Sequence, residues 1–164
     1  MNSDSSAQPP PRTPEERIRA LGLTLPSLAA PLAAYVPAVR TGAYVYTAGQ
    51  LPIADGELLA TGKVGAEVSA GEAAALARTC ALNALAAVAS VTSGLSAVRR
   101  IVKVTGFVAS APDFTGQAQV VNGASELLLD IFGEIGQHAR SAVGMAVLPR
   151  DAPVEVELIA EVGD

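Results

Sequence analysis

From Thr79 to Val98 the chain has no charged residue and alanine is its commonest residue, and a Ser69-Ala70-Gly71-Glu72 capping box stands shortly before it. In such a box the serine hydroxyl and the glutamate carboxylate satisfy orphan backbone donors reciprocally, which fixes a helix start. A helix of about five turns from there places Leu76, Cys80, Asn83 and Ala87 on one stripe, widened by Leu82, Leu85 and Val88, with Ser93-Gly94 as its stop. The uncharged stretch has the nominal length of a membrane span. Asn83, Ser90, Thr92, Ser93, Gly94 and Ser96 interrupt it, however, so the expectation is a buried helix and its exit loop, with no membrane partner.

The elements around this helix follow from local signals. Residues 1–13 read as a flexible tail and residues 14–164 as one domain, since Met1 to Arg12 is rich in Ser and Pro and lacks the basic start and apolar run of a secretory signal. Pro14-Glu15-Glu16-Arg17 with Ile18 and Leu21 predicts a short helix ended by Gly22; Leu23 to Pro37, broken by Pro26, Pro31 and Pro37, should run extended. Strands are expected around Val36 to Arg40 and Ala43 to Gly49, turned at Thr41-Gly42. Val98 to Ala109 reads as a strand with Ile101, Lys103, Thr105 and Phe107 on one face and Val102, Val104 and Val108 on the other. Val120, Ala124, Leu127, Leu128 and Ile131 fall at helical spacing between about Thr115 and Phe132, with Gly133 as cap. Arg140 to Leu148 and Val154 to Val162 close the chain as strands around a Pro149-to-Pro153 turn. The resulting order, β-β-α-β-α-β-β, predicts an α+β fold with two main helices on one face of a mixed sheet; the opposite face then needs a cover, most economically another copy of the chain.

Composition narrows the function classes. A net charge of -5 offers no attraction to phosphate backbones, so no nucleic-acid partner is expected. One cysteine and one histidine exclude an internal disulfide and a Cys/His zinc cluster, and no cofactor or metal is expected. With nothing pointing to an oxidising compartment, a cytoplasmic location is the expectation.

Several side chains are candidates for chemistry. In the Arg140 strand, alternation puts Arg140, Ala142, Gly144 and Ala146 on one face, so small residues leave room beside a guanidinium whose planar fork matches a carboxylate. Arg140 is then either a carboxylate receptor or the partner of a structural glutamate or of a helix end. Glu155 and Glu157 share one strand face; Glu155 either holds a water and moves a proton beside a substrate carbon or is a solvated strand-face residue. His138 reads first as a structural hydrogen-bonding residue and Cys80 as a packing residue. Thr61-Gly62-Lys63-Val64-Gly65 lacks the spacing of a phosphate-binding loop, and there is no nucleophile elbow.

Four blocks carry a resemblance: Tyr35-Val36-Pro37-Ala38-Val39; Thr47-Ala48-Gly49-Gln50-Leu51-Pro52; Arg140-Ser141-Ala142-Val143 with Leu148-Pro149; and Val154-Glu155-Val156-Glu157 with Ile159-Ala160. Their order and spacing resemble the Rid/YjgF family, also named endoribonuclease L-PSP, over about Ala34 to Val162, and the longer front resembles a longer subgroup. The resemblance implies a chorismate-mutase-like fold, a homotrimer and three clefts between subunits. It implies that Arg140 grips the carboxylate of a small 2-imino or 2-oxo acid and that Glu155 positions the water that attacks an imine carbon. Tyr35 would close the cleft, with Asn122, Ala142 and the backbone at Gly49 bordering it. Ala48 and Ala142 depart from the serine and the frequent cysteine of better-known members, which removes two direct hydrogen bonds. The function so implied is cofactor-free deamination of imine or enamine acids. The alternatives are a carboxylate-binding regulatory trimer and, against the acidic charge balance, an endoribonuclease.

Overall fold

Five strands of this protein pair into one main sheet, and two short ones form a separate hairpin. The computed structural model describes residues 12–28 and 34–164; the predicted tail up to residue 11, and residues 29–33 of the proline-broken run, lie outside the described residues. A short helix α1 (Pro14–Ala20) is followed by strands β1 (Ala38–Thr41) and β2 (Tyr44–Thr47), a small hairpin of β3 (Ile53–Ala54) and β4 (Glu57–Leu58), and the long helix α2 (Ala70–Ser90). Strand β5 (Val98–Ala109), helix α3 (Gln117–Phe132), strand β6 (Ala139–Met145) and strand β7 (Val154–Val162) complete the chain. The main sheet has five strands in the order β1-β2-β7-β5-β6; β5 and β6 run parallel and the other neighbours antiparallel. The mixed α+β architecture is therefore the expected one. The β3–β4 hairpin was not anticipated, because two-residue strands leave no periodicity to read; its turn is marked only by Asp55-Gly56, both at positive φ.

The capping box forms as its sequence requires: the Glu72 backbone N–H donates to the Ser69 hydroxyl at 3.2 Å and the Ser69 N–H donates to the Glu72 carboxylate at 2.9 Å. That contact also lowers the Glu72 pKa. Helix α2 is long and apolar enough to cross a membrane, yet Leu76, Cys80, Leu85 and Val88 are buried in the core, packed with β2 and β7. Helix α3 lies beside it over β5 and β6. The two helices approach so closely that a Cβ on Gly123 would strike the Ala74 backbone. Helix α1 docks on this layer through Glu15, whose carboxylate accepts the Leu95 N–H at 2.9 Å, and through Arg17, which donates to the Ile131 carbonyl at 3.2 Å.

One face assignment needs correction. Ile101 is buried with Val104 and Val108 on the helix-covered face, while Lys103, Thr105 and Phe107 lie opposite. A register irregularity between Ile101 and Lys103 inserts an extra residue, and a bulge of this kind reverses the inward alternation that strict period-two counting assumes.

Among the described residues, no helix covers the sheet's second face. Val39, Tyr44, Tyr46 and Val143 are exposed large apolar side chains, and Glu155, Glu157 and Glu161 alternate with the buried Val156, Leu158 and Ala160 of β7.

Candidate functional site

Arg140 starts the edge strand β6 in register with Val104, so its side chain rises on the helix side and meets α3. One Nη1 hydrogen goes to the Asn122 side-chain carbonyl at 2.8 Å and the other to the Ser125 hydroxyl at 3.2 Å, while Nη2 donates to the Ala118 carbonyl at 3.3 Å. All three acceptors are neutral, and among the described residues no carboxylate pairs with this guanidinium. Of its five N–H donors, those left over are on Nε and Nη2, the two nitrogens that flank one edge of the plane. Beside the group lies a hollow of about 290 Å³ lined by Asn122, Ser125, Leu129, Gln137, His138 and Arg140. Among the described residues Arg140 thus has no structural glutamate as partner, while the other alternative, pairing with a helix end, is met in part by its bond to the Ala118 carbonyl in the first turn of α3.

Glu155 occupies the other sheet face, paired in register with Phe107. The Gly49-Gln50 segment is laid against it by reciprocal backbone bonds between Gln50 and Val156, at 2.8 and 3.0 Å. Gly49 is so close that any Cβ there would overlap the Glu155 carboxylate. Burial raises the Glu155 pKa above the ordinary glutamate value, and repulsion from Glu157 adds to the rise. Lower on the same face, Tyr46, Lys103, Thr105 and Glu157 edge a second, smaller hollow of about 120 Å³.

The chain therefore gathers the candidate residues in two groups and does not bring them together. Arg140 and Asn122 meet on the helix side at β6; Gly49 and Glu155 meet on the open side at β7. Strand β5 intervenes, so the two groups are separated by about 10 Å across the sheet, by a further three residues along it and by its thickness. Tyr35 is 59% exposed just before β1 and does not line the Arg140 hollow. Nor does Ala142, which sits in register with Gly106 and packs partly buried against the core.

Sequence reasoning missed two contributors. Asn83, placed on the apolar stripe of α2, is a buried polar residue whose Nδ2 donates to the Leu51 and Ile53 carbonyls at 3.0 and 2.9 Å, tying the chain just beyond Gly49 to the helix. An amide amid alanines and leucines was the available signal, because a buried amide must find partners. Ser125, which the sequence offers only as part of the Asn122-Gly123-Ala124-Ser125 block and with no role of its own, joins Arg140 to His138. In the Gly-Lys loop the Lys63 N–H donates to the Glu67 carboxylate at 2.9 Å, which lowers that group's pKa. Cys80 is a buried packing residue whose pKa burial raises well above the ordinary thiol value.

A mixed sheet covered on one face by two helices makes this an α+β protein of layered architecture. The sequence matches the family described as "YjgF/chorismate mutase-like, putative endoribonuclease" over residues 15–162, and the chain belongs to that family. Protein TCP17 of Trypanosoma cruzi is 43% identical over 148 residues, which cover 90% of this chain and 92% of that protein. The crystal structure of Atu1372 from Agrobacterium tumefaciens, a protein of unknown function, is 45% identical, superposes with a TM-score of 0.86, and is matched over 92% of this chain and 94% of that one. Further off, E. coli TdcF with bound serine is 26% identical with a TM-score of 0.58, over 84% of this chain and 93% of its own.

Proposed function

We propose that the protein is a cofactor-free deaminase of small 2-imino or enamine acids, working as a homotrimer in clefts where Arg140 of one chain faces Glu155 of the next. The observation that carries this reading is Arg140 itself, a guanidinium satisfied only by neutral acceptors and opening on a hollow large enough for a small acid. A 2-imino acid places its carboxylate carbon next to its imine carbon, so the carboxylate anchor and the water-holding group must lie within a few bond lengths of each other. Half-sites on opposite sheet faces meet that condition only between two copies, and the bare apolar face supplies a surface for them to associate.

In the cleft, Arg140 takes the carboxylate through its remaining N–H donors, which orients the electrophilic imine carbon. Glu155 accepts a proton from water as the oxygen attacks the carbon of the protonated imine, giving a neutral carbinolamine. The proton then passes to nitrogen, ammonia leaves, and the hydroxyl proton goes to the glutamate and on to the departing ammonia, so that the 2-oxo acid and ammonium form and the carboxylate is restored. A carboxyl whose burial raises its pKa above the ordinary glutamate value is a better proton acceptor from water than an exposed one. Tyr35, exposed in the single chain, is the closing group in this arrangement, and Gly49 leaves the Glu155 carboxyl uncovered.

The test is direct. With 2-iminopropanoate generated in situ, wild type should speed its decay and Arg140→Ala should fall back by about a hundredfold or more, as for loss of a charged contact in the transition state. Wild-type decay at the buffer rate would overturn the proposal. The serine bound by TdcF favours a second reading, a binder of small acids without turnover. Calorimetry with 2-oxo acids separates the two, since saturable binding without accelerated imine loss selects the binder.

A further inference from the structure

We infer that Ser125 and His138 are positioning residues for Arg140, forming a one-directional hydrogen-bond relay that fixes how the guanidinium is presented to its hollow; this rests on Arg140 being the carboxylate anchor proposed above. The direction of the relay follows from chemistry. His138 Nδ1 lies 2.6 Å from the Gly136 carbonyl, which can only accept, so Nδ1 carries the hydrogen. In the neutral imidazole Nε2 is then a bare acceptor, and the Ser125 hydroxyl, 2.9 Å away, donates to it. With its single hydrogen committed, Ser125 Oγ presents lone pairs toward Arg140 Nη1, 3.2 Å away.

The backbone explains why each member is held. Gly136 ends the 3-10 turn Gly133–Gly136 after α3, and a Cβ on it would come within 2.5 Å of the Leu128 carbonyl oxygen, so that turn is pressed onto the helix that carries Ser125. His138 and Arg140 are two residues apart at the start of β6, and Asn122 and Ser125 are one turn apart on α3. The relay and the Asn122 bond therefore occupy both Nη1 hydrogens, and what remains for a guest lies toward Nε and Nη2. Without the imidazole, the serine hydroxyl would be free to turn and its lone pairs would no longer be fixed on the guanidinium. The same three polar side chains line the hollow, so the relay is part of its wall.

Two readouts test the relay, one of them without any ligand. In nitrogen-15 NMR of the intact protein, His138 should show the Nδ1-protonated tautomer, and the Arg140 Nη signals should be resolved by slow rotation. Ser125→Ala and His138→Ala should average those Arg140 signals, and Ser125→Thr, which keeps a hydroxyl, should restore them. In calorimetry the two alanine variants should weaken pyruvate binding by about tenfold. Binding of the uncharged pyruvamide should stay unchanged, which a general loss of structure would not spare. The inference is overturned if His138 carries its hydrogen on Nε2, or if the Arg140 signals are the same in wild type and both alanine variants. If wild type binds no pyruvate, the anchor reading fails instead, and the arginine signals still decide the relay.

Discussion

Glu155 shows how one residue's environment sets a measurable property. Burial among Gly49, Phe107 and the β7 backbone, with Glu157 on the same face, favours the protonated carboxyl. Between the ordinary glutamate pKa and the raised folded value, the native state holds a proton that the unfolded chain has released. Stability therefore falls as pH rises through that window. Glu155→Gln removes the charge, so the variant should melt above wild type at neutral pH, with the difference shrinking as pH falls toward the ordinary glutamate value. Thermal denaturation across that pH series checks the sign, and a variant less stable than wild type at neutral pH would contradict it. Imine turnover should be lost in the same variant.

Between elements, the contact of α2 with α3 decides where the arginine's partners sit. Gly123 stands inside α3, where propensity alone would favour alanine by about 1 kcal/mol. Its absent side chain lets the helix approach the Ala74 backbone, which cannot rotate away. Gly123→Ala should therefore destabilise the protein by about 1–3 kcal/mol, the usual range for overpacking. Equilibrium denaturation in urea measures it. Because Asn122 is the next residue, a displaced α3 should also weaken pyruvate binding. Both main helices were legible from periodicity and capping, since those signals are local, and the limits of β5 and β7 agree with the predicted ranges. The face reversal at Ile101 and the β3–β4 hairpin were not legible, because a bulge and a two-residue ladder exist only once strands have paired.

At the scale of the whole molecule, the prediction concerns mixed assemblies. Suppose each cleft takes Arg140 from one chain and Glu155 from its neighbour. Co-expression of Arg140→Ala and Glu155→Gln chains in equal amounts should then leave about a quarter of the clefts intact, since each donor is wild type half the time. Two inactive parents should thus give back about a quarter of wild-type turnover. No recovery, in a preparation where native mass spectrometry shows mixed trimers, would place both groups in one chain or remove one from the chemistry.

By itself, the sequence determined the two main helices, the long strands and the family, and it singled out Arg140 as a candidate, because capping, alternation and side-chain chemistry are written in neighbouring residues. Only the tertiary structure decided that the guanidinium has no acidic partner among the described residues, that Ser125 links it to His138, and that Glu155 lies across the sheet from it. The reason is physical. A hydrogen bond or a shared pocket depends on which faces of paired strands and packed helices meet, and that is fixed by register and close approach rather than by order along the chain.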